Sequence, residues 1–418
     1  MHKELAETAK KIEMLNKHRV VITGLGVVSS LGIGKDDFWS NLLKGRSGIS
    51  PVSSFDTSNQ FTHNGGEVKL FNPEDFIQQE KIVNLSRASQ MAIAASKLAL
   101  NDAHLSFSSL LNLNVATCVG TNIGSIQTVE KINEIILKEK GTNIKECLLR
   151  QIPTESTPAV IAKEFNIQGT NMMFSTACAA GNYAIGYGFD LIRLDRAQVV
   201  LAGGADAFSK VAFTGFNQFS AVAPDKCRPF DKNRKGMMVA EGAGMIVLES
   251  LKSALQRKAP IYAEVLGYGL SCDAHHMTTS AVAGIVRCMQ KALIEAGVSS
   301  DDVGYISAHG TGTLTNDKNE CTAIKEVFGH RYKMIPVSSI KSMLGHTMGA
   351  ASALETIACA LVVKNDIIPP TINFETADPE CNIDCVPNYA RKRTVNVALN
   401  NSYAFGGNNA SLVLTKQS

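Results

Sequence analysis

The chain has no long hydrophobic run, no excess of one charge and no paired cysteine motif, and each absence excludes a class of protein. No stretch of its 418 residues approaches the ~18 uninterrupted apolar residues of a membrane span, so we expect no membrane association. Residues 1–17 lack the apolar segment of a secretory signal peptide. The 41 Lys and Arg residues and 38 Asp and Glu residues contain no basic run, so we expect no nucleic-acid partner. The ten cysteines contain no C-x-x-C motif and no regular spacing, which predicts a reducing, cytoplasmic location.

The hydrophobic residues, 45% of the chain, form strand-like runs that alternate with helix-like stretches. This alternation is typical of an α/β fold with largely parallel central strands. It occurs in two rounds, the second of which begins near residue 261. The predicted strands are 20–23, 115–119, 199–201, 263–266, 305–306, 337–338 and 395–399, and the predicted helices are 36–43, 87–100, 158–165, 284–296, 319–328 and 350–363.

One cysteine differs from the others in its surroundings. Cys178 follows a short apolar run at 172–174 and precedes a helix-compatible stretch at 183–193, which predicts a strand, a tight turn and a helix. A thiol at a helix N-terminus is favoured as thiolate by the partial positive charge there, and the unpaired N–H groups can hold an oxyanion. Taken alone, Cys178 is better explained as an ordinary buried thiol, and two downstream histidines change that balance.

These two histidines lie beside glycines after strand-like runs. His309 follows the run 303–306, and His346 lies beyond a second such run further along the chain. One thiol and two imidazoles suit nucleophilic catalysis with hydrogen-bond donation or proton movement. Cys and His are also zinc ligands. The closest cysteine pair, Cys381 and Cys385, has no nearby histidine, so we predict no metal site.

A glycine-rich loop near the C-terminus is the third element. Phe405 precedes Gly406 and Gly407, and the loop follows an alternating strand at 394–399. Adjacent glycines allow unusual backbone dihedrals, so the backbone N–H of Phe405 could serve as a second oxyanion donor. Taken alone, a plain turn is the simpler interpretation.

A glycine pair near the N-terminus hints at dinucleotide binding. Gly24 and Gly26 follow the first predicted strand, but Ser29 stands where the third glycine of G-x-G-x-x-G belongs. We interpret the pair as a tight strand-to-helix turn.

Together these motifs resemble the β-ketoacyl-acyl-carrier-protein synthases, the ketosynthase branch of the thiolase-like fold, most closely the synthase II type. The resemblance runs from Val20 to the Phe405 loop and includes Gly203-Gly204-Ala205 and Arg228-Pro229-Phe230-Asp231. It implies a thiolase-like αβαβα layered α/β fold made of two pseudo-duplicated halves. We place an N-terminal extension at 1–17, the half with the nucleophile at 18–260, and the half with both histidines at 261–418.

The resemblance also implies a decarboxylative Claisen condensation. Cys178 takes an acyl group from a carrier-protein thioester, while the backbone N–H groups of Cys178 and Phe405 form an oxyanion hole. His309 and His346 bind the malonyl thioester carbonyl and favour the enolate, and we expect them to serve this stage more than thiol activation. Lys341 orients the network electrostatically.

Further residues take supporting roles by the same resemblance. Thr311 and Thr313 contact the pantetheine arm, and Gly406 and Gly407 bind substrate. Ile123 gates the acyl pocket or simply packs in the core. Asp317 and Glu320 are the acidic residues that follow the first histidine loop. No cofactor is implied, because the 4′-phosphopantetheine arrives on the carrier-protein substrate.

The chain departs from the family pattern in places that bear on its partners. The loop that usually reads Phe-Gly-Phe-Gly-Gly-Thr-Asn has tyrosine, alanine and asparagine at 403, 404 and 408, so we expect stiffer gating. The segment 76–84, where synthases of fatty-acid synthesis are rich in Lys and Arg, holds only Lys81, and Ser220 stands near a position that is often basic.

These departures favour a dedicated acyl carrier protein and the catalytic ketosynthase subunit of a dissociated (type II) polyketide synthase. Such a subunit forms a homodimer or a heterodimer with a chain-length-factor-like subunit. General fatty-acid elongation by a synthase II is the alternative within the same chemistry. A non-catalytic chain-length subunit is disfavoured by the retention of Cys178. A thiolase is disfavoured because the C-terminal loop has Phe405 where a second cysteine is usual.

Overall fold

The structure, a computed structural model, describes residues 18–139 and 143–417, so the predicted N-terminal extension lies outside the described residues. Within these residues, a mixed sheet of 11 strands runs through the molecule. Its main strands are β1 (Val20–Ser29), β2 (Val115–Gly120), β3 (Asn171–Phe174), β4 (Val199–Asp206), β5 (Gly242–Ser250), β6 (Ala263–Cys272), β7 (Val303–Ser307), β8 (Val337–Ser338), β9 (Val397–Tyr403) and β10 (Asn408–Thr415). The remaining strand, Gly32–Ile33, pairs with the end of β1.

Helices cover both faces of this sheet. The main ones are α1 (Lys35–Leu43), α2 (Arg87–Asp102), α3 (Ile126–Glu139), α4 (Ser156–Phe165), α5 (Ala180–Arg193), α6 (Lys210–Gln218), α7 (Leu251–Gln256), α8 (Val282–Ala296), α9 (Leu314–Phe328), α10 (Lys341–Leu344) and α11 (Ala351–Asn365). Shorter helices are Gln79–Ile82, Phe107–Leu110 and Glu146–Leu149. In the described part of the chain, no helix has the length and apolar character needed to cross a membrane.

The sheet consists of two halves with the same strand order. Outward from the centre, the first half runs β1-β5-β4-β2-β3, and the second runs β6-β10-β9-β7-β8. Renumbered within each half, both read 1-5-4-2-3. The halves join where β1 pairs antiparallel with β6. The predicted duplication is therefore confirmed in the topology, while the residue boundaries of the two halves stay a prediction.

The expectation of largely parallel central strands is wrong. The parallel pairs lie in the outer part of each half, where β2 pairs with β3 and β4, and β7 pairs with β8 and β9. The centre is antiparallel, from β4 through β5, β1, β6 and β10 to β9. Two of these central strands, β5 and β10, were absent from the sequence prediction. The tight connection from β9 to β10 permits only antiparallel pairing, because a parallel neighbour needs a long crossover.

The layers follow the predicted αβαβα order. Helices α2 and α4 cover the outer face of the first half, α8 and α9 cover the outer face of the second, and α5 and α11 lie between the halves. Helix α11 is buried from Ala351 to Val363, as expected of a helix that is apolar on all sides.

The two glycines near the N-terminus serve helix packing. Gly24 and Gly26 lie inside β1, which corrects their interpretation as a strand-to-helix turn. A Cβ atom on Gly26 would lie 1.8 Å from the carbonyl oxygen of Ala95 on α2, and one on Gly24 would lie 2.1 Å from that of Ala99. The pair therefore lets α2 lie directly against the strand.

Candidate active site

Cys178 lies in the 3₁₀ turn Ala177–Ala179, between β3 and α5. Ala177 has a φ of 51°, a left-handed conformation that few residues other than glycine adopt, and this reverses the chain directly into the helix. Ser402 Oγ donates a hydrogen bond to the Cys178 carbonyl (2.9 Å), which ties the turn to β9. The predicted strand, turn and helix are confirmed, with the helix beginning at Ala180.

The structure brings Cys178, His309 and His346 together. One potential ligand atom from each lies within 4.8 Å of the others, and the two imidazole rings meet nearly perpendicular with centroids 5.5 Å apart. All three side chains are buried, and they line a cavity of about 90 Å³. The cavity is lined by Cys178, Phe216, Ala221, Met237, Thr278, Ser280, His309, Thr311, Thr313, Thr315, Asn316, His346, Tyr403, Ala404 and Phe405.

The protonation of His346 follows from its hydrogen bonds. Its Nδ1 accepts from the backbone N–H of Met348 (3.1 Å), so Nδ1 is bare and the proton of the neutral ring is on Nε2. Burial and the nearby Lys341 charge hold the pKa of His346 well below its ordinary value, which keeps the ring neutral. The His346 backbone is itself fixed, because its N–H donates to Met238 (2.7 Å). His346 therefore presents Nε2–H as a fixed donor.

His309 is positioned through its backbone. The N–H groups of His309 and Gly310 donate to the two carboxylate oxygens of Glu320 on α9, at 2.9 and 2.8 Å. Burial, with Lys341 and His346, lowers the pKa of His309 well below its ordinary value. Among the described residues, the buried Nδ1 of His309 has no hydrogen-bond partner. A neutral imidazole has one bare nitrogen, so His309 retains the capacity to accept a proton.

Lys341 is buried and forms an ion pair with Glu355 on α11. Burial raises the pKa of Glu355 to about 7, and Lys341 opposes that rise. The same ammonium lowers the pKa of both histidines, as the predicted electrostatic role requires. Lys341 is therefore a buried charge of the site and not a surface cation.

The thiol does not have the depressed pKa that its helix terminus suggested. Burial raises the pKa of Cys178 to about 12, and Lys341 and the residue's own N–H only partly oppose this. The expectation of a thiolate is therefore wrong for the site as it stands, because the loss of hydration outweighs the helix terminus. Cys178 is a neutral thiol near neutral pH and must transfer its proton during acylation. His346 already carries a proton on Nε2, which leaves His309 as the imidazole able to accept.

The same three side chains are types that can bind a soft divalent metal such as zinc. A ligating imidazole needs a bare nitrogen facing the ion. On His346 the bare Nδ1 is occupied by the Met348 N–H, and the positive charge of Lys341 further disfavours a cation. The prediction of no metal site is therefore retained.

The Phe405 loop forms one wall of the cavity. Phe405 begins a short turn with Gly406 and Gly407, whose φ values of 81° and 78° lie in the left-handed region that favours glycine. The Gly406 N–H donates to the Met277 carbonyl (2.7 Å), and the Phe405 ring packs against Phe216 (centroids 6.0 Å apart). Neither glycine lines the cavity in this structure, and their substrate contacts stay a prediction.

The remaining predicted residues divide into two sets. Thr311 and Thr313 line the cavity with their hydroxyls 2.9 Å apart, and their contacts to the pantetheine arm stay a prediction. Asp317 is buried on α9 and accepts from the N–H groups of Phe230 (2.8 Å) and Gly312 (3.1 Å), so it supports the His309 loop. Ile123 lies half-buried on the loop after β2, outside the cavity lining, and its gating role stays a prediction.

Sequence reasoning missed two buried acids. Asp206, at the end of β4, accepts from Thr121 Oγ1 (2.6 Å) and from the N–H groups of Asn122 (2.7 Å) and Gly349 (2.6 Å), and thereby joins the Ile123 loop to the His346 segment. Burial raises its pKa to about 6. The other is Glu355. In the sequence, Glu355 is the one acidic residue within the apolar run of α11. An acid in such a run indicates a buried partner of opposite charge, and this could have identified it.

The raised pKa of Glu320 predicts a pH-dependent stability. Burial raises this pKa to about 8 from an ordinary 4.5, so the folded state binds the extra proton and stability falls as pH rises through this window. Glu320→Gln replaces one accepting oxygen by an NH2 group that faces a backbone N–H, so it should melt at a lower temperature than the wild type at pH 6. This deficit should shrink by a few degrees by pH 9, because only the wild type loses the stability linked to the Glu320 proton. Calorimetry at both pH values, with the exposed Glu326→Gln as control, tests this. A difference that is constant with pH would contradict it.

The fold and the site together define a class of protein. A buried thiol beside two neutral imidazoles, at a helix start between two like halves of an α/β sheet, is the arrangement of a thiolase-like acyl-transferring enzyme. Residues 17–254 match the family described as beta-ketoacyl synthase, N-terminal domain, and residues 262–375 match beta-ketoacyl synthase, C-terminal domain.

Individual proteins agree with this family match. A relative from Synechocystis sp., named 3-oxoacyl-(acyl-carrier-protein) synthase 2, is 38% identical over 411 residues, 96% of this chain and 99% of that protein. The solved structure described as the ishigamide ketosynthase/chain length factor is 44% identical with a TM-score of 0.94, over 96% of this chain and 100% of that chain. A second, described as a type II PKS acyl-carrier protein in complex with its ketosynthase bound to the hexaketide, is 33% identical with a TM-score of 0.89 over the same shares.

The chain belongs to the β-ketoacyl synthase family. It is a condensing enzyme of the acyltransferase class, and the resemblance drawn from its motifs is confirmed.

Proposed function

We propose that this chain is the catalytic ketosynthase subunit of a dissociated (type II) polyketide synthase. It condenses an acyl chain on Cys178 with malonyl-acyl-carrier protein to give β-ketoacyl-acyl-carrier protein. The observation that carries the chemistry is the meeting of Cys178, His309 and His346 in one cavity. The polyketide setting is supported by the 44% identity to a ketosynthase/chain length factor structure.

The first stage is acylation. The sulfur of Cys178 attacks the carbonyl of the incoming acyl thioester while His309 accepts the thiol proton. Backbone N–H groups of Cys178 and Phe405 stabilise the tetrahedral oxyanion. The carrier's sulfur leaves with a proton, and the acyl group remains on Cys178 as a thioester.

The second stage is condensation. The malonyl thioester carbonyl accepts hydrogen bonds from His346 Nε2–H and from His309. The bond between the malonyl α-carbon and the carboxylate carbon then breaks, and carbon dioxide leaves. The electron pair of that bond forms the enolate, whose oxygen accepts hydrogen bonds from these two donors. The enolate carbon attacks the acyl carbonyl, and the bond between that carbonyl carbon and the Cys178 sulfur breaks. The sulfur leaves as a thiolate and takes up one proton from the medium, which restores the neutral thiol. Neutral imidazoles suit this stage because they donate to the oxygen without carrying a full charge.

The reaction requires no resident cofactor, since both acyl groups arrive as carrier-bound thioesters. The partners are an acyl carrier protein and either a second copy or a chain-length-factor-like subunit, as in the two solved structures described above. A cytoplasmic location is consistent with ten cysteines present as free thiols.

General fatty-acid elongation is the second candidate, because the Synechocystis relative is a 3-oxoacyl-(acyl-carrier-protein) synthase 2. The family resemblance implies that such enzymes bind their carrier protein through basic residues in the segment 76–84, and this chain offers little free positive charge there. Lys81, the one basic residue of segment 76–84, is paired with Glu164 (2.9 Å).

Carrier preference separates the two candidates. We expect condensation at least about tenfold slower with a generic fatty-acid carrier protein than with the cognate carrier, because the cationic contacts that set encounter rate and register are missing. The faster reaction is expected when a ketosynthase-like subunit lacking the cysteine is co-purified. Steady-state rates with both carriers test this. Efficient elongation on the generic carrier by a homodimer would make fatty-acid elongation the better answer.

A further inference from the structure

Asp206, the last residue of β4, has a fully buried carboxylate that accepts four hydrogen bonds. Its Oδ2 accepts from the backbone N–H groups of Asn122 (2.7 Å) and Gly349 (2.6 Å). Its Oδ1 accepts from Thr121 Oγ1 (2.6 Å) and from the N–H of Ile123 (3.3 Å). Burial raises the pKa of Asp206 to about 6 and these hydrogen bonds oppose that rise, so the acid is ionised at pH 8.

Gly349 belongs to a tight turn that leads from His346 into α11. The turn Met348–Ala350 is a 3₁₀ helix, and a Cβ atom on Gly349 would lie 2.5 Å from the backbone of the loop after β2. Met348 has a φ of 52°, a left-handed conformation that is unfavourable for a residue with a side chain. The hydrogen bond to Asp206 fixes the residue that follows Met348 and so maintains this conformation.

Met348 in turn fixes the ring of His346. Its backbone N–H donates to His346 Nδ1 (3.1 Å), and this hydrogen bond leaves Nε2 to carry the proton. The backbone of His346 is held separately, because its N–H donates to the Met238 carbonyl and its carbonyl accepts from the Ala240 N–H (2.9 Å). The backbone and the ring of His346 therefore have different supports, and the support of the ring comes from the turn.

We propose that Asp206 is a positioning residue that fixes the tautomer of His346. By holding the Gly349 N–H, it keeps the Met348 N–H on Nδ1 and the proton of the ring on Nε2. The inference rests on the proposed function, in which that Nε2–H donates to the malonyl thioester carbonyl. Without the carboxylate, the left-handed Met348 can relax, and the neutral ring can then carry its proton on either nitrogen. The tautomer with a bare Nε2 cannot donate to the carbonyl or to the enolate formed from it.

Two substitutions remove the acceptor of the Gly349 N–H. Asp206→Ala deletes the carboxylate, and Asp206→Ser leaves a shorter side chain with a hydroxyl. We expect each to lower decarboxylation of malonyl-carrier protein by the acylated enzyme at least about tenfold at pH 8, the scale on which residues that orient a functional imidazole act. Acylation should not fall, because His346 does not accept the thiol proton and because the Asp206 charge raises the pKa of Cys178 in the wild type.

Two further variants are matched to these. Thr121→Val removes another hydrogen bond to the same carboxylate and leaves the one from Gly349 in place, so decarboxylation should stay within about twofold of the wild type. Asp206→Asn is the conservative rescue. Its amide oxygen can still accept from Gly349 while its NH2 group donates to Thr121 Oγ1, so it should restore most of the decarboxylation lost in Asp206→Ala.

A double-mutant cycle separates positioning from a general defect in the fold. If Asp206 acts through His346, adding Asp206→Ala to His346→Ala should change decarboxylation by less than about twofold, because the ring that it positions is already absent. A general defect would instead multiply the two losses.

The tautomer itself is observed by ¹⁵N NMR of enzyme labelled in histidine, with the His346 signals assigned by their loss in His346→Ala. The wild type should show one bare and one protonated ring nitrogen, and in Asp206→Ala the two shifts should move toward each other as the tautomers exchange. This measurement is independent of turnover, so a wild type that fails to decarboxylate would contradict the proposed function and leave the inference to the spectra. Wild-type His346 shifts in both Asp206→Ala and Asp206→Ser, or multiplied losses in the double mutant, would overturn the inference.

Discussion

Alanine in place of Cys178 is expected to abolish condensation, with turnover reduced at least about 10³-fold. Among the described residues that line the cavity, no other side chain is a thiol. His309 and His346 are neutral and buried, so neither provides a substitute for the covalent thioester. Turnover is lost because the enzyme without Cys178 has no group that can hold the first acyl chain as a covalent thioester.

Peptide mapping after incubation with an acyl-carrier protein should find the acyl mass on Cys178. Cys288→Ala is the matched control. Burial raises the pKa of Cys288 to about 12, as it does for Cys178, but Cys288 lies on α8 and donates to the Gly269 carbonyl (3.1 Å) away from both catalytic histidines. The control should be acylated normally. Acyl mass on any other cysteine, or full condensation by Cys178→Ala, would contradict the assignment.

The two histidines are expected to give different defects when replaced by alanine. The Nε2–H of His346 donates to the malonyl thioester carbonyl in the proposed condensation. Its Nδ1 accepts from the Met348 N–H, so His346 has no free nitrogen to take the thiol proton. His346→Ala should therefore lower decarboxylation by about 10²-fold or more, the effect of losing a positioned donor, while acylation stays measurable. His309 retains a bare nitrogen, and the thiol begins neutral with a pKa of about 12. His309→Ala should slow acylation as well as decarboxylation.

These half reactions are measured separately. Acylation is followed by the mass of the enzyme after mixing with acyl-carrier protein, and decarboxylation by carbon dioxide released from malonyl-carrier protein on the acylated enzyme. The exposed His330→Ala is the control and should leave both unchanged. Equal loss of both steps in His346→Ala would make His346 the acceptor of the thiol proton. Unaffected acylation in His309→Ala would remove His309 from that role.

Local patterns were sufficient to predict the elements that carry the nucleophile and the first histidine. The apolar run before Cys178 and the small residues after it encode β3, the turn and α5, because strand and helix signals lie within a few residues of each other. The run before His309 encodes β7 in the same way. Hydrophobic periodicity therefore predicted these positions without knowledge of the tertiary structure.

Strand direction could not be read in the same way. The hydrophobic pattern of β5 and β10 does not indicate which strands they pair with. The pairing of β1 with β6 joins residues that lie 245 positions apart in the sequence, such as Val20 and Val265. Alternation of strand and helix signals favoured a parallel sheet, and it was correct only for the outer strands of each half.

The electrostatics of the site depend on burial and on distant partners. Lys341 and Glu355 lie on different helices, and Asp206 collects N–H groups from two separate loops. The Cys178 pKa was misjudged for the same reason, since the helix start is visible in the sequence and the depth of the thiol is not. Likewise, Lys81 could be counted in the sequence, whereas its pairing with Glu164 required the fold.

A single-turnover experiment tests the condensation most directly. Enzyme acylated beforehand on Cys178 is mixed with one equivalent of malonyl-carrier protein, and the intact masses of both proteins are followed over time. The enzyme should return to its unmodified mass as the carrier loses carbon dioxide and gains the acyl group, giving a β-ketoacyl chain two carbons longer than the starting acyl. An enzyme that stays acylated while the carrier only decarboxylates, or an acyl group that moves to the carrier without loss of carbon dioxide, would contradict decarboxylative condensation at Cys178.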